Sequence, residues 1–169
     1  MIKIILTGLD LFPLIVSSNF SLPLDFWFQM VFNGNQMVFF GEYTLSVTEG
    51  GRVVIPKKIR ENLKGDVFIL TKGFDVCLAG YDKEGWVKRT QSLMEISILE
   101  KENIEKKRFI FSGTVEISID EQGRFVIPKA LLDFLHFSGN AVKIIGVGDH
   151  FEIWEVKAWE EYLKTLKRI

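Results

Sequence analysis

Apolar and polar positions change rhythm several times along the chain, and each change marks an element. From Tyr43 to Val47 the residues alternate as a half-buried strand does, and Thr48-Glu49-Gly50-Gly51 then supplies a turn with glycines available for positive φ. Arg52 to Ile55 reads as a second short strand, β-branched in its middle. Pro56 sits where a helix begins, and Ile59 and Leu63 place an apolar stripe on Lys57 to Leu63. Val67 to Thr71 and Val76 to Ala79 predict a hairpin around Lys72-Gly73-Phe74-Asp75, and Asp82 to Leu93 predicts a helix carrying Trp86. The same order then returns. Glu116 to Ile119 and Phe125 to Ile127 read as strands, Lys129 to Leu135 as a helix, and Val142 to Val147 with Phe151 to Glu155 as a hairpin. Lys157 to Leu166 closes as a helix with Trp159, Tyr162, Leu163 and Leu166 on one face.

The second half repeats the first. Gly51-Arg52-Val53-Val54-Ile55-Pro56-Lys57 reappears 72 positions later as Gly123-Arg124-Phe125-Val126-Ile127-Pro128-Lys129. Ser46 matches Ser118, Val47 matches Ile119, Glu49 matches Glu121, Ile59 matches Leu131 and Leu63 matches Leu135. A duplicated unit is the conclusion. The expected organisation is a first unit over 37–92, a helical connector over 93–110 and a second unit over 111–169. One such unit buries little core alone, so the copies are expected to pair within the chain. Residues 1–36 differ, with three charges (Lys3, Asp10, Asp25) and a loose apolar run broken by Asp10 and Pro13. They read as an extension outside the core domain. A targeting role or a packing arm are the alternatives, and the apolar run is too short to cross a bilayer.

Composition narrows the chemistry. The chain has 169 residues, 47% hydrophobic and 25% charged, as expected of a soluble folded protein. Lys and Arg number 21 against 22 for Asp and Glu, a formal charge of -1, so there is no polycationic tail and nucleic-acid binding depends on where the charges sit. A single cysteine, Cys77, excludes an intramolecular disulfide framework, and two histidines, His136 and His150, offer little for a metal centre. No nucleophile stands beside a base, no carboxylate pair recurs, and the glycines lack the lysine and serine of a phosphate loop. The expectation is no enzyme and no cofactor.

Local charge is more informative. Between Arg52 and Lys64 there are five positive residues (Arg52, Lys57, Lys58, Arg60, Lys64) against one negative, Glu61. An arginine just after a tight turn can project its planar fork into a major groove and bond guanine O6 and N7. Lysines on the following helix can meet phosphates with little geometric demand. In the second copy Arg124 and Lys129 are opposed by Asp120, Glu121 and Asp133. Two readings of Arg124 stand side by side: a DNA contact, or a turn residue bonding Asp120. Arg52, which has Thr48 in place of that aspartate, is favoured as a DNA contact. The candidate binding residues are Arg52, Arg124, Lys57, Lys58, Arg60 and Lys129, with Thr48, Gly51, Asp120 and Gly123 supporting the turns.

These segments resemble the MraZ family. The resemblance is carried by Met37-Val38-Phe39-Phe40-Gly41-Glu42-Tyr43, by Gly50-Gly51-Arg52-Val53-Val54-Ile55-Pro56, by Ile119-Asp120-Glu121-Gln122-Gly123-Arg124-Phe125-Val126-Ile127-Pro128, and by Gly146 through Trp154 with Trp159 following. It spans Met37 to about Leu166. It implies a mainly β fold with short helices (α+β), in which two tandem swapped-hairpin units of the SpoVT-AbrB type form one pseudo-two-fold, double-split-barrel-like protomer. It further implies ring-like homo-oligomers that act as sequence-specific transcriptional regulators, bind direct repeats in double-stranded promoter DNA of the division and cell-wall gene cluster, and associate with the nucleoid in the cytoplasm. The family signature in each unit is an aspartate, three residues, then a DNA-contacting arginine. Asp120 and Arg124 keep it, whereas Thr48 departs from it ahead of Arg52. The departure is expected either to loosen the turn or to alter sequence preference at one half of the site, without abolishing binding, because threonine can still bond the turn backbone. The alternative is an antitoxin-type module, but such proteins carry one unit and a disordered toxin-binding tail where this chain has a second unit.

Overall fold

The computed structural model describes residues 38–96 and 100–166, so the reading of 1–36 lies outside the described residues. In chain order the elements are β1 (Glu42–Ser46), β2 (Arg52–Val54), α1 (Lys57–Arg60), β3 (Val67–Lys72), β4 (Cys77–Tyr81), α2 (Lys83–Glu95), α3 (Lys101–Ser112), β5 (Val115–Ser118), β6 (Arg124–Val126), α4 (Lys129–Phe134), β7 (Ala141–Gly146), β8 (Phe151–Glu155) and α5 (Val156–Thr165). The fold is mainly β with short helices, built from two tandem repeats.

The strands do not close within their own repeat. A six-stranded sheet runs β1-β7-β8-β4-β3-β5, and β2 pairs only with β6 in a separate two-stranded ribbon. Thus β1 of the first repeat pairs antiparallel with β7 of the second, Glu42 opposite Ile145. Reciprocally, β5 of the second pairs with β3 of the first, Val67 opposite Ser118. The repeats meet at the sheet centre through β4 and β8, Cys77 opposite Trp154. Every long pairing except the hairpins β3–β4 and β7–β8 therefore joins one copy to the other. A unit too small to bury its own apolar faces obtains its core this way.

One sheet face packs under the ribbon. Phe68, Leu70, Leu78, Val142, Ile144, Phe151 and Ile153 from the sheet meet Val53 and Phe125 of the ribbon, with Ile59, Leu63, Leu131 and Leu135 from the segments that follow its strands. Phe68 meets Phe125 edge-on at 5.2 Å between ring centres. On the other side Cys77, Trp154 and Trp159 form a second cluster with Tyr162 of α5. The all-buried pattern of β4 follows from coverage on both faces.

Some boundaries differ from the sequence reading. The first helix stops at Arg60 instead of Leu63, yet Leu63 still reaches the core. Strand β4 runs on to Tyr81, which pairs with Ile69 of β3, while β8 pairs along the other edge from Cys77 to Gly80. Helix α3 runs past residue 110, where the connector was expected to end, to Ser112, and Phe111 within it packs against Trp86 at 6.0 Å. Asp82 caps α2 by accepting from the Gly85 N–H at 3.0 Å.

Candidate nucleic-acid interface

The ribbon consists of three residues on each strand, and its register carries the symmetry of the duplication. Arg52 lies opposite Val126, Val53 opposite Phe125, and Val54 opposite Arg124. Exchanging the repeats maps this ladder onto itself. Because side chains alternate across a strand, Val53 and Phe125 point into the core and are 1% and 2% exposed. Arg52, Val54, Arg124 and Val126 share the outer face, with the arginines diagonal to each other at about 8 Å. Val54 and Val126 are about half exposed there. Both ends of the ribbon are tied across the repeats: Ile55 N–H donates to Gly123 O at 2.8 Å, and Ile127 N–H donates to Gly51 O at 2.9 Å.

The turns ahead of each arginine are alike in backbone. Gly51 has φ +74° and Gly123 φ +77°, both in the left-handed region that disfavours a Cβ. Gly51 N–H donates to Thr48 O, and Gly123 N–H to Asp120 O, each at 2.8 Å. The side chains diverge. Asp120 Oδ1 accepts from the backbone N–H groups of Arg124 at 2.8 Å and Gln122 at 3.0 Å, while Oδ2 accepts from Arg124 Nε at 2.7 Å. The Arg124 N–H and guanidinium hold the Asp120 carboxyl below the usual carboxylate range. Thr48 Oγ1 accepts from the Arg52 backbone N–H at 3.2 Å. Among the described residues no side chain or carbonyl engages the Arg52 guanidinium.

Beside the ribbon lies a shallow groove of about 360 Å³. Arg52 and Arg124 line it together with Glu116, Ser118 and Asp120. The basic residues expected to flank the site fall on α1 and α4, directly after the ribbon strands. Lys57 pairs with Glu61 at 3.7 Å and Lys129 with Asp133 at 3.4 Å, equivalent contacts one helical turn apart in the two repeats. Both are exposed pairs of small worth, so either lysine can exchange its carboxylate for a phosphate. Lys58 stands 5.8 Å from the Phe40 ring centre. Arg60 is placed differently from its companions. Its Nη2 pairs with Asp66 at 2.9 Å and its Nη1 donates to Glu121 O at 3.3 Å, which braces the second repeat's turn against the first repeat's helix. Sequence reasoning passed over Val54 and Val126. The period-two alternation that set Arg52 outward places Val54 on the same face, and Val126 follows from the repeat.

Cys77 is wholly buried, and burial, with the nearby Glu152 charge, pushes its thiol up to about 12. His150 stacks on Tyr81 at 4.8 Å and contacts Asp149 at 2.7 Å and Glu152 at 3.6 Å, so it is held inside the fold.

An outward arginine pair on a ribbon raised from a duplicated, mainly β scaffold defines a class of tandem-repeat proteins with an exposed basic surface. Comparison with known proteins specifies the family. The family model described as "MraZ protein, putative antitoxin-like" matches residues 38–109 and again 110–169. The chain is 42% identical over 125 residues to the Transcriptional regulator MraZ of Acetivibrio thermocellus, covering 74% of this chain and 86% of that protein. It is 43% identical over 125 residues to the protein of the same name from Clostridium tetani, covering 74% and 87%. The one from Roseiflexus castenholzii is 35% identical over 129 residues, covering 76% and 89%. The chain belongs to the MraZ family, and these three relatives carry the name of a transcription regulator, not of an enzyme.

Proposed function

We propose that this protein is a transcription regulator that binds double-stranded DNA sequence-specifically through the β2–β6 ribbon. The observation that supports this most is the placement of Arg52 and Arg124 on one outward face of a two-stranded ribbon. A major groove about 12 Å wide admits such a ribbon, and arginine forks suit guanine O6 and N7. Val54 and Val126, exposed between the arginines, suit thymine methyl groups. Lys57, Lys58 and Lys129 flank the ribbon and hold phosphates. Arg60 acts mainly as a brace for the second turn. Thr48, Gly51, Asp120 and Gly123 set the backbone from which the arginines project.

The family resemblance extends the proposal to direct repeats in the promoter of the division and cell-wall gene cluster, to action as a ring-like homo-oligomer, and to a place at the nucleoid in the cytoplasm. Repeated ribbons on repeated sites offset the small charge of each copy. No helix among the described residues is long and apolar enough to cross a membrane. The antitoxin-type reading fits less well, because a complete second repeat follows the first.

The test is fluorescence anisotropy of the full chain on duplexes from upstream of its own gene, with shuffled duplexes beside them and salt varied. Tight, salt-dependent binding that prefers the native sequence is expected. Equal weak binding to both duplexes refutes the sequence-specific reading.

A further inference from the structure

The duplication makes each repeat a control for the other. At one register position the first repeat has Thr48 and the second Asp120, and each sits ahead of an arginine on the same ribbon face. Asp120 grips Arg124 through Nε at 2.7 Å while binding two backbone N–H groups with its other oxygen. Thr48 reaches only the Arg52 backbone N–H, at 3.2 Å. Among the described residues Arg52 has no carboxylate partner.

We infer that the two arms divide the work on DNA: Arg124 reads bases and Arg52 anchors the backbone, so each site has one strict half and one tolerant half. The inference rests on the DNA reading of the ribbon. A guanidinium held through Nε keeps its Nη1 and Nη2 donors free, and that edge matches guanine O6 and N7. Its rotamer is already set, so little freedom is lost on contact, and a misplaced base meets a fork that cannot adapt. Asp120 also neutralises Arg124, which weakens its general pull on phosphate. Arg52 has the opposite character. Among the described residues its guanidinium has no ion-pair partner and no contact that fixes its rotamer, and Lys57 and Lys58 follow on α1. An unpaired cation of this kind meets phosphates whatever the sequence. The sequence reading favoured Arg52 as the DNA contact over Arg124, whereas this inference assigns base discrimination to Arg124. Asp120 and Thr48 are the positioning residues that set the difference.

The experiment is selection of the full chain on duplexes with a randomised centre, followed by affinity and salt titrations on the enriched and scrambled sequences. The wild-type chain is expected to enrich a site specified in one half and degenerate in the pseudo-symmetric half. Arg124→Ala should lose that specified half, with discrimination falling about 10-fold or more. Arg52→Ala should keep the enriched sequence, weaken enriched and scrambled duplexes equally, and reduce the log-log salt slope by about 1. Thr48→Asp should add a second specified half. Equally strict halves in the wild-type chain overturn the inference while leaving the ribbon as the DNA-binding element. So does a loss of sequence preference confined to Arg52→Ala. No enrichment by any variant removes the DNA reading and this inference with it. The two arginine variants decide the matter even where Thr48→Asp fails to fold.

Discussion

Gly51 and Gly123 share a backbone conformation but not an environment, which makes their alanine variants a matched pair. At φ +74° and +77° either alanine incurs the left-handed penalty of about 1 kcal/mol. Part of that is offset, because alanine also restricts the unfolded chain, by about 0.4–1 kcal/mol. For Gly123→Ala little else changes, since the nearest heavy atom to the added Cβ is Arg60 Nη1 at 3.5 Å, an ordinary contact. For Gly51→Ala the Cβ falls 2.7 Å from Ile127 O and 3.1 Å from Leu132 Cδ1. A relaxed carbon–oxygen contact is about 3.3 Å, so the ribbon end must open by roughly 0.6 Å. The carbonyl cannot withdraw freely, because the Ile127 N–H donates to Gly51 O at 2.9 Å. Weakening that bond costs about 1 kcal/mol, and overpacking of this kind about 1–3. Gly51→Ala should therefore destabilise by about 2–4 kcal/mol and Gly123→Ala by about 1 or less. Urea unfolding followed by circular dichroism reads both from the midpoints, provided the slopes agree. Equal losses, or a larger loss for Gly123→Ala, would show that backbone strain alone governs these turns and refute the contact argument.

Three further outcomes follow from the packing. Phe125→Ala removes the ring that seats the ribbon on Phe68 and should cost about 3–5 kcal/mol in the same unfolding assay; a loss under about 1 would mean that the ribbon is not anchored there. Cys77, buried with its thiol pushed up to about 12, should resist thiol reagents at pH 8 until denaturant is added, and rapid labelling of the native chain would contradict its burial. Burial disfavours the His150 imidazolium, but hydrogen bonds to Glu152 and Asp149 outweigh it and raise its pKa above the ordinary value of 6.5. Its contribution to stability is then full below about pH 6.5 and is lost as pH rises through the raised value. Urea midpoints should fall over that window in the wild-type chain and stay flatter in His150→Gln; identical profiles would count against the histidine.

Much of the molecule was legible along the chain because it is set by local chemistry. Alternation marked β1, glycines marked the turns, Pro56 and Pro128 marked the starts of α1 and α4, and the repeat at 72 residues marked the duplication. The positions of Arg52 and Arg124 just after left-handed glycines follow from the same short-range rules. Strand partnership was not legible in this way. The sequence pattern shows that β1 needs a neighbour, but β7 and β2 offer the same backbone groups. The choice falls to whichever arrangement buries both repeats' apolar faces at once. The register that puts Arg52 opposite Val126, and so both arginines on one face, is likewise a long-range result. Arg60 shows the point most simply. In the sequence it is one more cation in a basic run, yet folding brings Asp66 and the Glu121 carbonyl to its guanidinium and makes it a brace. Local rules assign a charge to a face of an element, while only the folded chain decides which groups arrive to meet it, because partners distant in sequence are brought together by burial of the shared core.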